Sequence, residues 1–226
     1  MIINSIKHIA YAFSLLLPWP LRRFCLVSIF RYEIHPTAKI GFSWILPRFL
    51  KMAPYSRIGH LNLCKGLECL ILGEKSTIGR LNWITGFPLT TSQHFQSDLN
   101  RQPTLVLGDH SAVTNRHILD CTNTVTVGRY ATVAGFRSQI LTHSIDLSVC
   151  EQRSHPVYIG DYCFVGTGVI ILGGSCLPDR SVLAAGSVLA KPYQDQSTLY
   201  AGTPARPIKL LDTSGGYFTR DKGFVR

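Results

Sequence analysis

Over long stretches of this chain an aliphatic residue returns at every sixth position. From Ile159 the series runs through 159, 165, 171, 177, 183 and 189 without a slip, as Ile, Val, Ile, Leu, Leu and Leu. Two places before each stands a small or apolar residue: Val157, Cys163, Val169, Ser175, Ser181 and Ser187. The residue just after is often small, as at Gly160, Gly166, Ala184 and Ala190. The same beat runs earlier through Leu107, Val113 and Leu119, through Val127 and Val133, through Leu72, Ile78 and Ile84, and through Ile58 and Cys64. Six is neither the helical period nor that of a simple alternating strand. It predicts short extended pieces joined by tight turns, each sending one dominant side chain inward. Three pieces close a triangular coil of 18 residues, and coils stack at ~4.8 Å with their backbones paired. The position two places before the aliphatic residue lies in a narrow corner and suits small side chains, while Gly after it eases the turn.

Two stretches lose the beat, 86–104 and 144–156, and both read as insertions leaving the coil. Long structureless connections are uncommon unless functional or mobile. Ahead of the coils, apolar residues at 2, 6, 9, 13, 16 and 17 follow helical spacing, so 2–17 is predicted as an amphipathic helix and roughly 20–31 as a second. The apolar run is too short to span a bilayer, which takes ~20 residues. Its helices pack on their own protein or touch a membrane surface. The organisation is a helical lead (1–33), an all-β solenoid (34–209) and a tail (210–226).

Charge alters this picture modestly. Only 16% of the 226 residues are Asp, Glu, Lys or Arg, against about 25% in an average domain, which suits a chain that hides much of its surface. The net charge of +10 favours polyanionic partners such as a phosphate-bearing ligand or anionic lipid. No helix-turn-helix or aromatic-basic interleaving supports nucleic-acid binding. Seven cysteines, an odd number without a C-x-x-C pair, read as free and mostly buried thiols of a reducing compartment. The expected location is cytoplasmic, at most at the inner face of a membrane.

The segment YIGDYCFVGTGVIILGGSCLPDRSVLAAGSVLAKPY (158–193), followed by YAGTPARPIK (200–209), resembles the C-terminal half of the hexapeptide-repeat acyltransferases. The likeness is to the group of galactoside, maltose and capsule-polysaccharide O-acetyltransferases. It is specific over about 107–209, weaker over 34–84 and absent from both termini. It implies a left-handed parallel β-helix, against the usual right-handed crossover. It also implies a homotrimer, and acetyl-CoA as cosubstrate in a cleft between neighbouring helices.

The resemblance makes His143, in ILTHSID, the catalytic residue. An acceptor hydroxyl is a poor nucleophile at neutral pH, and imidazole can take its proton as it attacks the thioester. Asp146, three residues on, and Asp120, one coil earlier, are both candidates to orient the ring. His117 and His155 are expected to flank the acceptor, although His117 is equally plausible as a structural histidine. For the cofactor the resemblance implies Gly166, Thr167 and Ala185 along the pantetheine arm, with Lys191, Arg206 and Lys209 toward the phosphates. Ala190 stands where relatives often carry Thr. Cys121 occupies a place where serine acetyltransferases have a His, which argues against that activity.

The acceptor is expected to be a hydroxyl of a carbohydrate or lipid-linked sugar, with insertion 86–104 as its lid. An amino-sugar amine and a non-catalytic scaffold remain the alternatives. No metal is expected, because the three-His carbonic anhydrase pattern would need a ligand five residues after His143, where Ser148 stands.

Overall fold

The computed structural model describes residues 2–91, 94–223 and 225, with side chains from His8 onward. Residues 92 and 93 of the first insertion, and 224 and 226 of the tail, lie outside the described residues. Three parallel sheets wind about one apolar core. The first runs from Glu33–Ile34 to Cys176–Leu177 and the third from Trp44–Leu46 to Val188–Leu189, seven strands each. The second has nine: it begins at Lys39–Ile40 and ends in Thr198–Gly202 with the antiparallel Ala205–Leu210.

Every aliphatic position of the six-residue beat faces inward. Ile159, Val165, Ile171, Leu177, Leu183 and Leu189 are fully buried, as are Leu72, Ile78 and Ile84. The coil length is not constant, however. Glu33 pairs with Lys51 and Tyr158 with Cys176, a step of 18, whereas Leu50 pairs with Leu70 and Leu105 with Val125, a step of 20. The extra pair of residues lies where the third face turns back to the first.

Two corner expectations change. Ser56, Ser76 and Ser111 are buried, and each hydroxyl donates to the carbonyl three residues back at 2.7–2.8 Å. Between the second and third faces the equivalent places hold Asn62, Asn82 and His117, whose polar atoms link coil to coil, so the position is not simply small. The glycines that follow the aliphatic residues do not supply the left-handed turn. That conformation falls on Leu61, Leu81, Tyr130 and Tyr162 instead. Gly59 is needed for space: a Cβ there would stand 2.2 Å from the Gly79 carbonyl oxygen.

Helices α1 (Ile2–Ser14) and α2 (Trp19–Ser28) close the first end of the prism. α1 ends before residue 17 because Leu16 and Leu17 bond three residues back, to Phe13 and Ser14. This tightened last turn precedes Pro18, whose ring disfavours helix in the residue before it. The buried Tyr11 hydroxyl donates to the Ser43 carbonyl, and the buried Arg22 guanidinium caps the Gly41 and Ser43 carbonyls. The lead therefore packs on its own protein by one face. At the other terminus, α3 (Gly216–Thr219) lies back on the coils, where Tyr217 donates to the Cys163 carbonyl at 2.9 Å.

The second insertion is ordered. His143–Asp146 and Glu151–Ser154 form an antiparallel hairpin that begins at His143 itself. The first insertion packs against it: Asp98 accepts from the Ser154 amide (2.8 Å) and hydroxyl (2.6 Å), Gln152 meets His94 at 3.1 Å, and Ser97 bonds Glu151. All seven cysteines are free; Cys64, Cys121 and Cys163 are buried, while Cys150 is exposed on the hairpin.

Candidate active site

His143 leaves the prism at the corner between the third and first faces. Asp120, at the end of the strand Ile118–Asp120, lies one coil below, because Asp120 pairs with Leu141 in the ladder. The hairpin departs after Thr142, so the next side chain swings over that carboxylate. Asp120 Oδ2 accepts from His143 Nδ1 at 2.7 Å, from the His143 amide at 3.0 Å and from the Thr142 amide at 2.9 Å. Its Oδ1 accepts from the Thr122 amide (3.1 Å) and hydroxyl (2.6 Å). Burial opposes charge on Asp120, but the hydrogen bonds from His143 and Thr122 outweigh it and hold the carboxyl at about 2.

The same contact raises the His143 pKa above its ordinary value, against a smaller opposing effect of burial. An ionised carboxylate only accepts, so the proton belongs on Nδ1 and the Nε2 lone pair is free. Nε2 has no hydrogen-bond partner among the described residues, and the side chain is 37% exposed. The ring edge packs against Phe87 and Phe95, with centroids 5.7 and 6.1 Å away. Arg101 fixes this wall: it is buried, stacks over Phe95 at 4.7 Å and donates to the Phe87 and Pro88 carbonyls. These three residues were invisible to periodicity; two aromatic residues and one arginine in a polar insertion were the sole signal.

The other site residues sort differently from the sequence expectation. Asp146 does not touch His143; its carboxylate caps Ser148 in a local turn, at 3.0 Å from the amide and 2.6 Å from the hydroxyl. His117 lies at the edge of the third face opposite His143. It is 1% exposed, with Nδ1 accepting from the Ser138 amide (3.2 Å) and Nε2 3.0 Å from the Thr114 hydroxyl. Burial pushes its pKa down to about 4, so it belongs to the corner ladder. His155 is exposed, beside His143's corner, with its amide donating to the Thr142 carbonyl at 2.8 Å.

The residues expected at the cofactor divide between two corners. Phe136, Thr167 and Ala185 form one column between the second and third faces, by the register of Gln139 with Ile170 and Ile170 with Val188. The Thr167 hydroxyl is engaged there, donating to the Phe136 carbonyl at 2.8 Å. Gly166 lies under this column, where a Cβ would stand 2.6 Å from the Ala185 amide. Arg206 pairs with Ala201 at the same edge and Lys209 with Leu199 further along the second face. Lys191 does not join them. It stands at His143's corner, 5.1 Å over the Tyr193 ring. The Thr167 column and His143 flank opposite edges of the third face, about 15–20 Å apart at ~3.3 Å per residue. Among the described residues no three His, Cys, Asp or Glu side chains converge on a point that could hold a metal.

No family model matches the chain. Over 74 residues it is 39% identical to an inferred acetyltransferase of Schizosaccharomyces pombe, and over 72 residues 33% identical to the galactoside O-acetyltransferase of Escherichia coli K12. Each match takes in 31% of this chain and spans only 35% of the relative's length. Among solved structures, a hexapeptide-repeat acetyltransferase of Vibrio cholerae in complex with acetyl coenzyme A is similar at a TM-score of 0.51 and 25% identity, over 63% of this chain and 71% of that one. The chain thus resembles the hexapeptide-repeat acyltransferases in fold as well as motif, and its solenoid is a left-handed parallel β-helix.

Proposed function

We propose that this hexapeptide-repeat chain transfers an acetyl group from acetyl-CoA to a carbohydrate hydroxyl, with His143 as general base and Asp120 as its orienting partner. The observation that carries the reading is the 2.7 Å contact between Asp120 and His143 Nδ1, which leaves Nε2 open beside an aromatic wall. Nε2 takes the acceptor's proton as its oxygen attacks the thioester carbonyl; the resulting imidazolium is stabilised by Asp120. Collapse of the tetrahedral intermediate releases CoA thiolate, which recovers that proton. The acetyl group passes directly within a ternary complex. Burial pushes the Cys121 thiol well above its ordinary pKa and Cys64 to about 12, which suits neither to act as a nucleophile.

Acetyl-CoA as donor is supported by the Vibrio cholerae protein's complex with that molecule, and a sugar acceptor by the match to a galactoside O-acetyltransferase. In this reading Gly166, Thr167 and Ala185 line the pantetheine arm, with Arg206 and Lys209 toward the phosphates. His155 flanks the acceptor, and the free cysteines support a cytoplasmic setting. Because the Thr167 column and His143 lie at opposite edges of one face, the column of one copy serves His143 of the next in a homotrimer. The outward Trp83 and Ile118, 55% and 46% exposed on the third face, support such contact.

Insertion 86–104 acts as the acceptor lid, and removing it should impair transfer while sparing acetyl-CoA binding; equal loss of both sinks that role. The reading as a whole is tested by thiol release from acetyl-CoA with a panel of sugars and amino sugars. Acceptor-dependent release that disappears in His143→Ala, with acetyl-CoA still bound, is expected. Failure of the wild type to bind acetyl-CoA would contradict it.

A further inference from the structure

The chain's positive charge is gathered at one end. Residues 1–67 hold nine Lys and Arg against a single acidic residue, Glu33, whereas the remainder is nearly balanced. That end also carries the largest run of exposed apolar side chains. On α1 these are Ile9, Phe13 and Leu16, 57–79% exposed; on α2 they are Leu21 and Phe24, 55% and 68% exposed. Tyr11 and Leu26 already hold the helices to the prism, so this outer face is surplus to folding.

Beside it, Trp19, Lys39, Arg57, His60 and Arg80 line an open groove of about 500 Å³. Lys39 and Arg57 sit on adjacent rungs of the second face, and no carboxylate pairs with either among the described residues. Like charges stacked this closely are unfavourable without an anion. Groove and patch meet at one corner: Phe42 lines one shallow apolar hollow with Ile9, Phe13 and Leu16, and its amide donates to His60 Nδ1 at 3.1 Å.

We propose that this end docks on an anionic phospholipid surface, with Phe13, Leu16, Leu21 and Phe24 entering the acyl boundary while Lys39, Arg57 and Arg80 hold headgroup phosphates. An interfacial amphipathic helix with cations beside its apolar face is the general form of such a contact. A second copy fits less well, since face-to-face pairing would oppose two strongly positive ends. No helix among the described residues is long and apolar enough to cross a membrane. The inference stands apart from acyl transfer, because its readout is binding alone.

The test is co-sedimentation of the full chain with vesicles of phosphatidylcholine, with or without about one-quarter phosphatidylglycerol, at low and high salt. Binding to the anionic vesicles that weakens with salt is expected. Lys39→Gln and Arg57→Gln should each weaken it about fivefold, and Phe13→Ser or Phe24→Ser about tenfold or more. All four side chains are exposed, so circular dichroism should show unchanged folds. Equal binding to neutral vesicles, no binding to either, or indifference to the Lys39 and Arg57 changes overturns the proposal. So does a wild type that ignores vesicles while Phe13→Ser changes its association state in solution, which would give the patch to a second copy.

Discussion

His117 and His143 stand on successive coils at opposite edges of the same face, and their surroundings drive them in opposite directions. His117 is enclosed, its ring nitrogens placed against an amide and a hydroxyl, and burial takes its pKa down to about 4. His143 is half-open and faces a carboxylate that itself stays ionised near 2, so its pKa rises. The fold uses one imidazole as a spacer between coils and leaves the other with a free basic nitrogen. Sequence spacing treats the two alike. Their partners separate them.

The sharpest way to break this comparison is to exchange the consequences of losing each ring. His143→Ala should lower kcat by about 10²–10⁴-fold, the usual contribution of a general base, with little change in acetyl-CoA affinity by calorimetry. His117→Leu should instead leave kcat unchanged in the folded protein. It should cost about 1–3 kcal/mol of stability in urea unfolding, because the buried Ser138 amide loses its acceptor. A large loss of kcat in folded His117→Leu would erase the distinction.

Asp120→Asn tests the partner rather than the ring. The loss of kcat should approach that of His143→Ala, on the order of 10²-fold. The acid limb of kcat/KM in wild type should lie above the ordinary histidine value of about 6.5, because Asp120 raises the His143 pKa, and it should move to lower pH in the variant. A limb unchanged in Asp120→Asn would mean that the contact does not set the basicity of His143.

A smaller effect follows from linkage. The Asp120 carboxyl is depressed from 3.8 to about 2, so its stabilisation is present above pH 4 and lost as pH falls through 2. The stability difference between wild type and Asp120→Asn should therefore shrink by about 2 kcal/mol between pH 5 and pH 2. A difference independent of pH would contradict that depressed value.

Inward positions were legible in the chain because a solenoid core imposes the same demand at each turn, and Ile159 through Leu189 answer it with one aliphatic residue apiece. Coils of 20 residues were not, since two extra residues at a corner leave the inward beat between the corners intact. His143 rested on a resemblance. Asp120 and Asp146 stood level because spacing cannot show that the chain turns outward at His143, carrying Asp146 onto a hairpin while Asp120 stays beneath. Phe87, Phe95 and Arg101 were missed for a related reason. Their positions depend on contacts between two insertions distant in sequence, such as Asp98 with Ser154, and no local pattern encodes those. Lys191 was grouped with Arg206 by the resemblance, and the chain alone did not show that the turn after Leu189 carries it to the other edge of the face.

The most direct test of the account is a pH titration of the histidine ring nitrogens by nitrogen-15 NMR, using His143→Ala to assign the signal. The account predicts that neutral His143 carries its proton on Nδ1, and that its pKa lies above the ordinary value and falls in Asp120→Asn. A neutral ring protonated on Nε2 would leave no free base facing the acceptor, and a pKa at or below that of an exposed histidine would mean that Asp120 does not raise its basicity; either result would contradict it.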